Sequence, residues 1–299
     1  MKGVNDAVIL AAGMGTRMLP ASLISPKEAL PLVDTPIINH LIWESMKAGV
    51  KRIHVVLSEE KYEIMKKFFS DDEIYGNEIR PELPRISLKL GAEGVEIFAR
   101  IQRNPGGVAD AIKTSVDYID GPFIVLLGDM LMMENHPSLD SSGPDSASSA
   151  SAMLVSEYHK YGLPCVGMKS VKSEDLANYG VLDIKDGAIV GIVEKPNSKN
   201  APSNWVLCGR YLFPEEMADI LNLYPVEEFG ELQSIRILEH FALSEGLRGV
   251  SLDSMSMYDS GDPVSWLKAQ IDHSLRRSDM SDEIEEWIRG RIEFISSKN

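Results

Sequence analysis

Hydrophobic residues fall into short blocks separated by polar, glycine-marked or proline-marked breaks, and the spacing within each block indicates its element. Residues 7–12, 52–58, 95–101 and 123–127 are short, mostly apolar runs of the kind covered on both faces of a sheet. Between them, apolar positions recur at helical spacing over 36–48, 60–69 and 107–118. Pro36 sits where a first-turn proline is tolerated, and Gly49 where a helix stops. This alternation predicts an α/β fold with a Rossmann-like, doubly wound, mostly parallel sheet.

The pattern changes after residue 136. Residues 137–151 are rich in Ser, Gly, Asp and Pro, with six serines between Ser141 and Ser151, too polar to bury and expected to form a mobile surface loop. Runs at 152–157, 181–184 and 188–193 then read as strands. The last two are joined by the hairpin dipeptide Asp186-Gly187, so antiparallel strands are added and the sheet becomes mixed. Helices are expected at 215–223 and 232–244, a strand at 249–252, and two helices from Pro263 onward. In the last helix Ile284, Trp287, Ile288, Ile292 and Ile295 share one face, for which core packing is the plain reading. No internal repeat is present.

Composition narrows the class. With 299 residues, 44% hydrophobic and 25% charged, the chain can build a sizeable core, and disordered, collagen-like and coiled-coil readings fall away. Cys165 and Cys208 are too few for a disulfide framework. Asp and Glu number 45 against 30 Lys and Arg, a net charge of −15. Nucleic acid and anionic membrane are therefore poor partners, and a phosphate ligand needs a locally positive pocket. No apolar run approaches the ~20 residues of a membrane span. The first strand follows Asp6 rather than a basic leader, so a cytoplasmic location is expected.

Candidate chemistry gathers at strand ends. Gly13-Met14-Gly15-Thr16-Arg17 follows the first strand, where open α/β sheets bind ligands. Met18 occupies the third glycine position of a dinucleotide fingerprint, and no Gly-Lys-Ser/Thr follows, so neither a dehydrogenase loop nor a Walker loop fits. Glycines still admit phosphate oxygens to backbone N–H groups, and Arg17 offers a forked cation. Taken alone, Gly13 and Gly15 make a tight turn. Lys27 lies on a stretch stiffened by Pro20, Pro26 and Pro31 and could meet the same phosphate, although a lone lysine there is ordinarily a solvated one. Asp129 ends the strand 123–127 and suits Mg²⁺, which is commonly bound by one or two carboxylates plus substrate phosphates; Asp259 is the candidate second ligand. A turn or cap is the ordinary role of such aspartates, and for Asp262, just ahead of Pro263, the cap prevails. Glu194 and Lys195 close a strand before Pro196 and read by default as a surface ion pair. The six histidines show no metal-ligand spacing.

Read together, Leu10-Ala11-Ala12-Gly13-Met14-Gly15-Thr16-Arg17-Met18-Leu19-Pro20, Pro26-Lys27-Glu28-Ala29-Leu30-Pro31 and Asp34-Thr35-Pro36-Ile37-Ile38 resemble the start of the sugar-1-phosphate nucleotidyltransferases. Val193-Glu194-Lys195-Pro196, Ala201-Pro202-Ser203-Asn204 and Gly209-Arg210-Tyr211 follow in family order. Within the family the resemblance is strongest to the bacterial-type branch that makes UDP-glucose and pyrophosphate from UTP and glucose 1-phosphate. It implies one nucleotidyltransferase domain over residues 1–260, with a nucleotide-binding part over about 1–135 and a sugar-binding part over about 151–260, then a helical segment over 261–299. It also implies a homo-oligomer, dimer or tetramer. Carried over by position, it implies that Ala11, Ala12, Gly13 and Gly15 meet the nucleotide, with Gln102 and Gly107 completing the base pocket. Arg17 and Lys27 would hold the nucleotide phosphates, Asp129 and Asp259 would bind Mg²⁺, Tyr179 and Gly180 would form the sugar-side loop, and Glu194 and Lys195 would contact the sugar hydroxyl and the sugar phosphate. Three places depart from that branch. Residues 102–111 look more like the thymidylyltransferase branch, and Gly128 precedes Asp129 where the uridylyl branch has proline, so a dTTP-using enzyme stays open. Ile235-Arg236 replaces a Thr-Asp common in relatives, which keeps a non-catalytic sugar-nucleotide sensor on the same fold in view.

Overall fold

The computed structural model describes residues 2–69, 94–104, 106–225, 228, 230 and 233–298. Of the sequence features above, Pro105, Glu231 and Leu232, the expected start of a helix, lie outside these residues. The chain opens with β1 (Asp6–Leu10), then a small ribbon of β2 (Pro31–Leu32) and β3 (Thr35–Pro36) that leads into α1 (Ile37–Lys47). It continues through β4 (Arg52–Leu57), α2 (Glu59–Met65), β5 (Glu96–Ile101), α3 (Gly107–Val116) and β6 (Phe123–Leu127). Strands β6, β1, β4 and β5 lie side by side and parallel, the doubly wound half expected from the alternating pattern. Side chains alternate across this layer. Ala7, Ile9, Val55, Ile124 and Leu126 enter the core on one face. Val8, Val56 and Val125 enter the core on the other.

The second half supplies β7 (Met130–Met133), α4 (Ala150–Tyr161), β8 (Cys165–Ser170), β9 (Gly180–Lys185), β10 (Ala188–Glu194) and β11 (Trp205–Phe213). Helices α5 (Met217–Leu223) and α6 (Gln233–Leu243) follow, then β12 (Arg248–Ser251), β13 (Ser256–Asp259), α7 (Pro263–Arg276) and α8 (Ser281–Ser296); here the labels α6 to α8 count described helices. Among the described residues the main sheet has nine strands, with β10-β9-β11 continuing past β6, and β8 bridging β11 to β12. Strand β11 runs antiparallel to β6, β8 and β9, so the sheet is mixed. Asp186 and Gly187 turn the β9–β10 hairpin at φ 51° and 79°, the left-handed pair a tight two-residue turn demands.

Three expectations are corrected. The run 152–157 is not a strand but the middle of α4, which buries Leu154, Val155 and Tyr158 at helical spacing. The end of the serine-rich loop is held down rather than free. Lys47 Nζ donates to Ala147 O at 2.6 Å, Ser149 donates through N and Oγ to Glu134, both at 2.9 Å, and Ala150 is fully buried. In α8 no residue is buried, so the stripe from Ile284 to Ile295 is not core. Both cysteines are free and buried, and burial pushes their thiols up to about 12. Asp262 caps α7 as expected, accepting from Val264 N at 3.1 Å and Ser265 N at 3.0 Å.

Candidate active site

The parallel strands end together, and the loops leaving them meet at that edge. Ala11 N donates to Val56 O at 2.8 Å, Gly128 N to Leu10 O at 2.9 Å and Gln102 N to Leu57 O at 2.8 Å, which ties four strand ends together. Gly128 has no substitute there: a Cβ would stand 2.5 Å from Leu10 O and 3.1 Å from Glu28 Cγ. After Ala12 the chain turns through Gly15, at φ 64°, into a short 3₁₀ turn carrying Arg17. Ser22 Oγ holds that turn by donating to Gly15 O at 2.9 Å.

Lys27 follows Pro26 on a second 3₁₀ turn and pairs directly with Asp129. Burial alone would lower its ammonium, but the carboxylates of Asp129, Glu28 and Asp259 outweigh that and hold it above the usual lysine value. Asp259 ends β13, whose antiparallel pairing with β7 sets it opposite Met130. Ser260 donates from both N and Oγ to Asp129 O, at 2.8 and 2.9 Å, fastening one aspartate's loop to the other's. Arg17 lies 3.3 Å from Asp259. The two carboxylates converge on Gly261, where a Cβ would stand 2.8 Å from Asp259 Oδ1, 2.9 Å from Asp129 Oδ2 and 2.6 Å from the Arg17 guanidinium. Carboxylate oxygens of this kind suit a hard divalent cation completed by ligand phosphates; in this structure Lys27 holds Asp129, while Arg17 and the Gly261 N–H hold Asp259. Among the described residues no three His, Cys, Asp or Glu side chains cluster as a metal site.

Beneath this layer is a buried pair that the sequence did not mark. Lys61 Nζ donates to Glu28 Oε2 and to Ala11 O, both at 2.7 Å. Burial pushes the Glu28 carboxyl up and the Lys61 ammonium down. The pair couples the turn after β1 to the segment bearing Lys27. Its sequence signal was weak: a lysine and a glutamate 33 residues apart, each in a polar surrounding.

A cleft of about 450 Å³ lies against the acidic pair. Arg17, Asp129, Tyr179, Gly180, Glu194, Lys195 and Asp259 all line it, beside an apolar wall including Leu127, Leu207, Tyr211 and Ile235. Strand β10 ends at Glu194 and Lys195 turns at φ 44°, which breaks the strand alternation and brings its Nζ to 3.3 Å from Glu194. Gly180 pairs with Glu194 in the β9–β10 ladder, and burial, with Asp259 adding to it, raises the Tyr179 hydroxyl. Ala11, Ala12, Gly13, Gly15, Gln102 and Gly107 do not line this cleft. They occupy the same sheet edge on the β4–β5 side, where Gln102 Nε2 donates to Asp110 at 2.6 Å. Gly261 and Ser260 escaped the sequence reading; the Asp-Ser-Gly-Asp run was their only signal.

Comparison with known proteins shows the family of the chain and its fold. The model of the nucleotidyl transferase family matches residues 6–272. A curated relative from Staphylococcus epidermidis, named UTP–glucose-1-phosphate uridylyltransferase, is 29% identical over 97% of this chain and 99% of its own. A solved UDP-glucose pyrophosphorylase complexed with UDP-glucose is 28% identical, with a TM-score of 0.74 over 90% of this chain and 98% of that one. A UDP-glucose pyrophosphorylase from Acinetobacter baumannii, at 24% identity, shares the fold with a TM-score of 0.76 over 96% of this chain and 99% of that one.

Proposed function

Because the chain belongs to the nucleotidyl transferase family, we propose that it makes UDP-glucose and pyrophosphate from UTP and glucose 1-phosphate. The observation that carries this reading is the pairing of Lys27 with Asp129 and of Arg17 with Asp259, where Arg17 and both aspartates line a cleft that also holds Glu194 and Lys195. A purely sensory protein has no need of two such cation–carboxylate pairs side by side. Asp129 and Asp259 would hold Mg²⁺, which supplies charge neutralisation at the phosphates when bound.

The chain's own residues supply position and charge. A phosphate oxygen of glucose 1-phosphate attacks the α-phosphorus of the nucleotide in line, the α–β bridging bond breaks, and pyrophosphate departs with the electron pair. Arg17 and Lys27 bind the triphosphate and stabilise charge on the oxygens in flight. The turn through Ala11, Ala12, Gly13 and Gly15 receives the nucleoside, with Gln102 and Gly107 at its base. Tyr179, Gly180, Glu194 and Lys195 orient the sugar phosphate from the opposite wall. We assign nucleotide binding to about residues 1–135, sugar binding to about 151–260, and a helical segment to 261–299. The location is read as cytoplasmic; among the described residues no helix is long and apolar enough to cross a membrane.

The test is pyrophosphate release with Mg²⁺ and glucose 1-phosphate, comparing UTP with dTTP and then other sugar 1-phosphates. UTP preference is expected. Preference for dTTP moves the protein to thymidylyl transfer, and nucleotide binding without release under any pairing overturns the enzyme reading.

A further inference from the structure

We propose that Asp110 is a positioning residue for base selection, fixing the Gln102 amide so that the site takes uracil- or thymine-type nucleotides and rejects cytosine nucleotides. The inference rests on the reading of Gln102 as a base-pocket residue. Gln102 is 9% exposed at the end of β5, its backbone N–H committed to Leu57 O. Its side-chain nitrogen donates to Asp110 Oδ2 at 2.6 Å, with Gly107 O further off at 3.4 Å. A carboxylate and a carbonyl both accept and neither donates. Turning the amide over would set Oε1 against Asp110, oxygen on oxygen, so only one orientation is tolerated. Oε1 is then the atom left to a ligand, and none of the hydrogen bonds of the described residues uses it.

An acceptor presented in a fixed direction selects a donor. Uracil and thymine carry N3–H on the pairing edge, whereas cytosine carries a bare nitrogen at that atom and would face lone pair with lone pair. The selection acts against CTP and leaves UTP and dTTP alike at this contact.

The local backbone is shaped around the same contact. Asp110 stands in the first turns of α3, where a negative side chain is favoured by the helix dipole. Gly106 leaves it room: a Cβ there would come within 2.7 Å of Asp110 Cγ and 2.9 Å of Oδ2. Gly106 has no positive φ to require a glycine, so the crowding with Asp110 is the visible reason for one.

Two changes disturb the contact by different routes, and a third restores part of it. Asp110→Ala removes the acceptor, Gly106→Ala displaces it, and Asp110→Asn keeps an acceptor oxygen in place. In steady-state assays of the full chain with UTP and CTP, Asp110→Ala and Gly106→Ala are each expected to lower the UTP-to-CTP ratio of kcat/KM by about tenfold, the scale of one misdirected hydrogen bond. The loss should fall on KM for UTP more than on kcat, and Asp110→Asn should recover most of it. Thermal melting identifies a variant that fails to fold, in which case the other route decides. An unchanged ratio in folded Asp110→Ala and Gly106→Ala overturns the proposal while leaving the enzyme reading intact, and so does a loss confined to kcat and equal for both nucleotides. A wild-type chain that turns over no nucleotide overturns the underlying reading itself, before any variant is compared.

Discussion

Lys27 is the side chain whose loss separates chemistry from folding most cleanly. Its hydrogen-bonding partner is the part-exposed Asp129, and the buried Glu28 beneath keeps its own bond from Lys61, so removing Lys27 breaks no hydrogen bond of a fully buried group. Lys27→Ala is expected to lower kcat by about 10²–10³, equivalent to about 2.7–4 kcal/mol by analogy with a lost oxyanion donor. Its melting temperature should change little, and equal turnover in the variant would remove Lys27 from the catalytic assignment. A different residue-scale effect comes from three histidines away from the cleft. His136 Nδ1 meets His273 Nδ1 at 2.9 Å, and the His40 ring lies 6.2 Å from that of His273, with Asp34, Asp272, Arg276, Arg277 and Tyr258 around them. Burial, with mutual repulsion, pushes His40 down to about 3 and His273 to about 4. Above the unfolded value of about 6.5 both states are neutral and the cluster costs nothing. As pH falls below it the unfolded chain takes up protons that the fold refuses, so stability declines toward pH 4. The slope approaches about 1.4 kcal/mol per pH unit for each of these two histidines. Denaturant melts between pH 7 and 4.5 should show the decline, and His273→Gln should flatten it; an unchanged slope would place the acid sensitivity elsewhere. Residue placement was legible where a motif fixed it, as with Lys27 and Asp129, which the structure brings into contact. Gly261 and Lys61 were not, because their meaning lies in partners far along the chain.

Elements were legible in proportion to how evenly they are buried. Strands β1, β4 and β6 are covered on both faces and read as mostly apolar runs. Strand β11 did not, because its Cys208-Gly209-Arg210 centre looks like a loop. Arg210 is nevertheless fully buried, forked onto Glu44 of α1 at 2.7 and 2.8 Å. Glu44 also accepts from Ser151 Oγ at 2.6 Å, so one carboxylate joins α1, β11 and the start of α4. This explains why α4 begins where composition indicated a loose loop: its first turn is anchored to a charge the local sequence does not contain. The methionine-rich β7 lacked the β-branched residues that announce a strand. Glu44→Ala, which leaves Arg210 buried without its counter-charge, is expected to cost about 3–5 kcal/mol in denaturant unfolding, and a loss below about 1 kcal/mol would mean that water or a rearranged side chain replaces it.

At the scale of the molecule, α8 presents Trp287, Ile292 and Ile295 to solvent at 61%, 60% and 59% exposure. An apolar helix face of this kind on a chain with a net charge of −15 is expected to be covered by another copy, as a dimer or tetramer. Light scattering checks this, and a monomer at assay concentrations would reject it. The order of motifs along the chain made the architecture readable, because the strand ends that bear them lie on one edge. What it could not convey was how the last ligand arrives. Asp259 reaches Asp129 through the pairing of β13 with β7, and Arg17 reaches Asp259 across 242 positions of sequence. During synthesis, most of the main sheet can therefore form while the acidic pair is still half made. A polypeptide halted before β13 would own a nucleotide turn, Lys27 and a single carboxylate, and a ribosome must deliver nearly the whole message before the cleft can hold a triphosphate for reaction. A chain interrupted before β13 is therefore expected to be inert rather than half-active in the pyrophosphate-release assay.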